Sequence, residues 1–239
     1  MRFPLRLSAA LFKTRVSSFF AGSIGSIGSR VILHLLPGEN VAALAATTAA
    51  PVIWLAGTEL LDHPEIGRVT RDLVRAERHV FLHSDGYNLR QRIHAFRPDS
   101  RFFLTLEFAG REEAHNQRFG RSDAFRRSLE GIRAAKLSGF LVAAHFTVTP
   151  ETDACEIGEQ IELLDKHDVD GFIATSRGRS LAPGNAALAE TVEDVRAMIR
   201  CGRWENFSRI LEASYAAAAG ARAQQKVSAT GKGAYEEGD

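Results

Sequence analysis

The sequence predicts an α/β domain built from repeated βα units, and two observations carry that reading. Six short apolar runs rich in β-branched and aromatic residues are hydrophobic throughout rather than at every second position, as strands buried on both faces are. These runs alternate with longer segments of helical periodicity, and strand–helix–strand repeated in this way gives a parallel sheet with right-handed crossovers. At 239 residues, with 45% hydrophobic and 25% charged residues, the chain suffices for one such core. Six units close into an open partial barrel or a doubly wound sheet; periodicity alone does not separate the two.

The chain opens on a segment, Met1 to Gly38, without an acidic residue, in which Arg2, Arg6, Lys13, Arg15 and Arg30 are basic. That composition suits an organelle transit peptide. It equally suits an amphipathic helix with Leu5, Phe12, Val16, Phe19 and Phe20 on one face, packed on the domain or making peripheral contact with a membrane surface. Lys13 and Arg15 interrupt what would be the apolar core of a secretory signal. Gly22 to Ser29 is glycine- and serine-rich and reads as a flexible linker, dividing residues 1–29 from a domain over 30–219.

Strands are expected at Val31–Leu36, Val52–Ala56, His79–His83, Phe102–Leu106, Phe140–Val148 and Gly171–Thr175. Helices are expected near Ala42–Ala49, Pro64–Ala76, Leu89–Ala95, Arg111–Lys136 and Glu156–His167. Pro64 suits a first helical turn, with Asp62 or His63 before it as cap, and Ser122 to Phe125 looks like a fresh start inside the long fourth connection. Asn185–Arg200 and Trp204–Ala219 read as two C-terminal helices joined at Cys201 and Gly202. From Gly220 the chain is small, polar and aperiodic, so a disordered tail is expected over 220–239.

Composition narrows function. A formal net charge of +1 gives the molecule as a whole no reason to seek nucleic acid or anionic lipid, and no apolar stretch reaches the roughly 18 residues of a membrane span. Cys155 and Cys201 are far apart and form no CxxC pair, so neither a disulfide framework nor a zinc knuckle is supported, and a reducing, cytoplasmic setting is expected. There is no GxSxG nucleophile motif, and the glycines from Gly22 to Gly28 precede a strand without a closing GK[ST], unlike a phosphate loop.

In parallel α/β folds chemistry gathers at the carboxyl ends of the strands. Those ends carry His34, Thr58 with Glu59, His83 with Asp85, Glu107, His145, and Ser176 with Arg177. Histidines and carboxylates converging on one point suit a metal or an acid–base site, with His34, His83 and His145 as the metal-ligand candidates. Each could instead satisfy a loop or cap a helix.

Several segments, taken in order, have a further likeness. Gly57-Thr-Glu-Leu-Leu-Asp-His-Pro-Glu-Ile66 follows the second strand, Ser84-Asp-Gly86 the third, and Thr105-Leu-Glu107 with Gly110 closes the fourth. His115-Asn116, Gly120 and Phe125 come next, then the apolar runs Val142–Pro150 and Val169–Thr175. In order and spacing these resemble the radical S-adenosylmethionine family over about Arg30 to Ser176. The resemblance implies a six-unit partial TIM-type barrel, with Gly57, Thr58, Glu59, Ser84 and Glu107 at the cofactor-binding positions.

The departures bear on chemistry. The family's first loop carries CxxxCxxC, whose three thiolates hold a [4Fe–4S] cluster. Here the loop begins Pro37-Gly-Glu-Asn40 and contains no cysteine. Thr58 stands where the family has a glycine and Leu60 where it has a proline, whereas Glu59 is kept. The cluster is therefore not expected, although the resemblance implies it, and neither is radical cleavage; S-adenosylmethionine binding through Glu59 is left open. The reading is a degenerate member acting as a non-catalytic binding or accessory protein, with a small molecule or a protein as partner. The alternatives are a truncated or diverged enzyme of that family, and an enzyme using a His/Glu site at the barrel mouth.

Overall fold

A computed structural model of the chain describes residues 3–20, 31–35, 50–57, 59–176, 186–199 and 201–231. Six parallel strands, β1 (Ile32–Leu35), β2 (Val52–Leu55), β3 (His79–Ser84), β4 (Phe102–Phe108), β5 (Leu141–Val148) and β6 (Gly171–Ser176), lie in sequence order and curl into a half-barrel. Strictly sequential order is what an open barrel requires; a doubly wound sheet would reverse direction at some strand. The strands fall within one to two residues of the sequence expectation. The expected linker at 22–29 and helix at 42–49 lie outside the described residues, as do Thr58 and Arg177.

The helices are α1 (Leu5–Phe20), α2 (Ile66–Arg75), α3 (Leu89–Arg92, continued by a 3-10 turn at Ile93–Ala95), α4 (Glu112–Phe119), α5 (Ala124–Leu137), α6 (Ala154–Asp165), α7 (Ala186–Met198) and α8 (Gly202–Gly231). The long segment expected over Arg111–Lys136 is two helices, because Gly120 takes a left-handed conformation at φ +65 that ends α4. Helix α8 runs past Gly220, where a disordered tail was expected. Alanines at 216–219, 221 and 223 raise its helix propensity, which outweighs the lack of an apolar face.

Trp54, Phe81 and Phe103 come from adjacent strands and form a ring stack, at 5.8 and 4.6 Å between centroids. Helix α8 fills the barrel against this stack: Phe207 lies 4.9 Å from Phe81, and Trp204 and Leu211 are fully buried. A Cβ on Gly171 would come within 2.1 Å of the Trp204 ring, so only glycine at the base of β6 admits the indole.

Helix α8 also covers the barrel's open side. Among the described residues no strand lies beyond β6, so its outward backbone groups need other partners. Ala174 N–H donates to Ser208 Oγ at 3.1 Å, Ser176 N–H donates to Glu212 at 2.8 Å, and Arg196 of α7 donates to the Ala174 carbonyl at 3.2 Å. Across the gap, His34 of β1 pairs with Ser214 of α8 at 2.7 Å.

Helix α1 is not separate from this core. Phe3 meets Trp204 edge-on at 4.8 Å, and Leu7 is fully buried. The face that the sequence singled out, for packing on the domain or for a membrane surface, is the other one: Leu5 is 77% and Phe12 70% exposed. The sequence pattern marked the helix as two-sided but could not say which apolar row meets the barrel. Leu7→Ala is therefore expected to cost about 2–5 kcal/mol in a chemical-denaturation experiment. Leu5→Ala, two residues away, should stay within about 0.5 kcal/mol of wild type. Equal effects would mean that α1 does not dock through Phe3 and Leu7.

Candidate functional site

The carboxyl ends of the strands carry two polar assemblies. The first is built on Glu59, which follows β2 and caps the 3-10 turn Leu60–Asp62. Its Oε1 accepts from Leu61 N–H at 2.9 Å and from Ser84 Oγ at 2.7 Å, and its Oε2 accepts from Asp85 N–H at 3.0 Å. Ser84 Oγ in turn accepts from Gly86 N–H at 2.9 Å, and Gly86 turns the chain at φ +78. Burial, with the Asp85 charge alongside, pushes the Glu59 carboxyl up to about 7. A carboxylate offers about four lone-pair sites, and donors among the described residues use three of them. Asp85 is itself engaged: Arg121 pairs with it at 2.9 Å while lying over the Tyr87 ring at 4.1 Å.

The second assembly lies inside the barrel. Side chains alternate along a strand, so His83 points inward where Ser84 points outward. His83 Nε2 lies 2.9 Å from His145 Nδ1, and His145 Nε2 lies 2.8 Å from Thr175 Oγ1. Glu107 stands 3.9 Å from His83 and 3.5 Å from Arg118. Burial lowers the pKa of both imidazoles, outweighing Glu107 and Asp85 at His83 and joined by the His83 ring at His145, so both favour the neutral form. Two neutral imidazoles in series with a hydroxyl can reverse their hydrogen bonds by exchanging tautomers. Trp54 lies against His83 and His145 at 5.5 and 5.6 Å, and burial beside Glu107 raises the Tyr215 phenol well above its usual range.

The structure thus divides what the sequence pooled as one constellation. Glu59 and Ser84 are hydrogen-bonded together, and His83, His145 and Glu107 form a separate group. Among the described residues no hydrogen bond or ion pair joins Glu59 to His83, Glu107 or His145. Gly57 is exposed at the end of β2. His34 is engaged with α8, through Ser214 and a ring contact with Tyr215 at 4.5 Å. Ser176 is tied to Glu212 rather than open to the mouth. Thr175, Tyr215, Arg118 and Arg121 escaped the sequence reading. For Thr175 the signal was present, since it is the last residue of the expected sixth strand. For Tyr215 there was none, because nothing local shows that α8 returns into the barrel.

Among the described residues no group of three or more His, Cys, Asp or Glu side chains is arranged to hold a metal ion. The chain's two thiols are exposed Cys155 at the start of α6 and half-buried Cys201 before α8, and the sequence between β1 and β2 carries none. Three thiolates around one cluster cannot be assembled from them, so a [4Fe–4S] group does not fit the residues present.

No family model matches the chain, and no curated protein matches it. Among solved structures it is similar to Streptococcus suis SuiB, at 12% identity over 66% of this chain and 39% of that one, with a TM-score of 0.49. It is also similar to an archaeal TYW1, at 15% identity over 65% of this chain and 49% of that one, with a TM-score of 0.41. A TYW1 with a lysine–pyruvate adduct bound gives 15% identity over 81% and 63%, with a TM-score of 0.45. The chain therefore spans less than two thirds of each of these three structures, and the likeness assigns no chemistry.

Two further histidines shape acid stability. His79 and His115 are buried, neither has a hydrogen-bond partner on its ring nitrogens among the described residues, and burial lowers both from 6.5 to about 4. His115 sits among Phe108, Phe119 and Phe125 at 4.7–5.5 Å. Between about pH 6.5 and 4 the unfolded chain binds more protons at these sites, so stability present above 6.5 is lost as pH falls through 4. Glu59 acts oppositely: its stabilising protonated form is present below 4.5 and lost as pH rises through about 7. His115→Phe should leave stability near neutral pH little changed and flatten the acid limb in pH-dependent urea titrations. An unchanged acid limb would show that His115 does not titrate with folding.

Proposed function

We propose that this chain is a radical-SAM-like half-barrel that binds a small molecule without radical cleavage, as a binding or accessory protein. S-adenosylmethionine is the candidate ligand. The observation that carries this is Glu59: three donors fix its carboxylate, with one lone pair unused among the described residues, at the position where the resemblance puts the cofactor's amino group. The missing thiolate set supports binding without chemistry. A protonated amine on Oε2 would favour the ionised carboxylate, so affinity should rise as pH passes upward through about 7 while the amine remains charged.

A second reading is favoured by the His83–His145–Thr175 chain, which suits proton movement between a ligand in the mouth and the barrel interior. It would make the protein an enzyme of acid–base type, with Glu107 and Arg118 as the flanking charges.

Calorimetric titration with S-adenosylmethionine tests the first reading. Wild type should bind, and Glu59→Gln should lose roughly tenfold or more in affinity, the worth of a charge-assisted hydrogen bond. Equal affinities, or no binding by either protein, would remove Glu59 as a ligand site. Anaerobic reconstitution that yields about four irons and four sulfides per chain would overturn the non-radical reading altogether.

A further inference from the structure

Helix α1 presents two apolar rows, and the fold uses one of them. Residues at 3, 7 and 11 share a face, and there Phe3 and Leu7 enter the core with Leu11 packed against it. Leu5, Ala9 and Phe12 lie on the opposite face and are exposed. Arg6 and Lys13, seven positions apart, make an exposed basic row beside them.

Alongside this face runs a groove of about 500 Å³ between α1 and α8. Phe3, Leu11, Phe12, Val31 and Ile210 give it an apolar wall, and exposed Arg203 stands at its rim. The nearby Arg209 is spent on Glu193 and Glu205. Among the described residues no helix is long and apolar enough to cross a membrane.

We infer that this face docks on an anionic lipid surface, with Leu5 and Phe12 in the acyl boundary and Arg6, Lys13 and Arg203 on headgroup phosphates. The argument is charge complementarity joined to apolar exposure. An interfacial helix needs an apolar row flanked by cations and free of carboxylates, and the segment from Met1 to Gly38 contains none. A second copy of the chain would bring the same basic row against itself, which like-charge repulsion opposes. The groove between α1 and α8 gives a lipid tail an apolar recess beside Phe12. Because the opposite face of α1 is anchored in the barrel, the helix is presented already formed.

Vesicle flotation of the full chain tests this. Vesicles of equal parts phosphatidylcholine and phosphatidylglycerol should carry the protein, and pure phosphatidylcholine vesicles should carry at least about tenfold less. The Leu5→Ser/Phe12→Ser protein should lose about tenfold or more in partitioning, and Arg6→Glu/Lys13→Glu a comparable amount, with wild-type binding weakening as salt is raised. All four positions are exposed, so circular dichroism should show unchanged melting and separate a binding defect from unfolding. Binding that ignores these substitutions, or no binding to the anionic vesicles, would overturn the proposal. So would a wild-type dimer in sedimentation velocity that Leu5→Ser/Phe12→Ser dissociates, since a second copy would then cover the face.

Discussion

A six-stranded parallel sheet that curls without closing leaves two strands unpaired on their outer sides, and this edge governs much of the molecule. Helix α8 answers it with side chains in place of a strand: Ser208 and Glu212 take up N–H groups of β6, and Ser214 reaches His34 on β1. The same helix supplies the barrel's filling through Trp204, Phe207 and Leu211. Edge cover and core packing are therefore one element, and Gly171 is the point of closest approach that lets it enter. Docking of α1 follows from it too, since Phe3 packs on Trp204.

The polar groups at the strand ends inherit their division from the pleat. Adjacent residues of β3 face opposite ways, so Ser84 joins Glu59 under the loops while His83 joins His145 in the interior. Asp85 lies between the two sets, its charge acting on Glu59 and on His83. The interior pair is neutral because burial outweighs the Glu107 charge beside it. Glu59 is the inverse case, a carboxylate well supplied with donors whose pKa is still raised because burial and Asp85 outweigh them.

Helix α1 shows how one amphipathic pattern can carry two assignments. A row at 3, 7 and 11 and another at 5, 9 and 12 are both apolar enough to pack, and the barrel takes the first. The exposed row keeps its basic flank, which a face buried in the core would have lost to desolvation.

The sequence by itself determined the six βα units, the placement of Glu59, His83, Glu107 and His145 at strand ends, and the lack of a three-thiolate set. Continuous apolar runs, turn residues and a cysteine count are local properties, and they survive folding unchanged. The resemblance implied the partial barrel that the strand order shows, whereas tertiary structure alone decided that α8 plugs it and carries Tyr215 to the mouth, and which row of α1 is buried. It also decided that the strand-end residues form two assemblies rather than one. Those outcomes depend on distances between residues remote in the chain, such as Gly171 and Trp204 or His34 and Ser214, and local hydrophobic pattern holds no record of such distances.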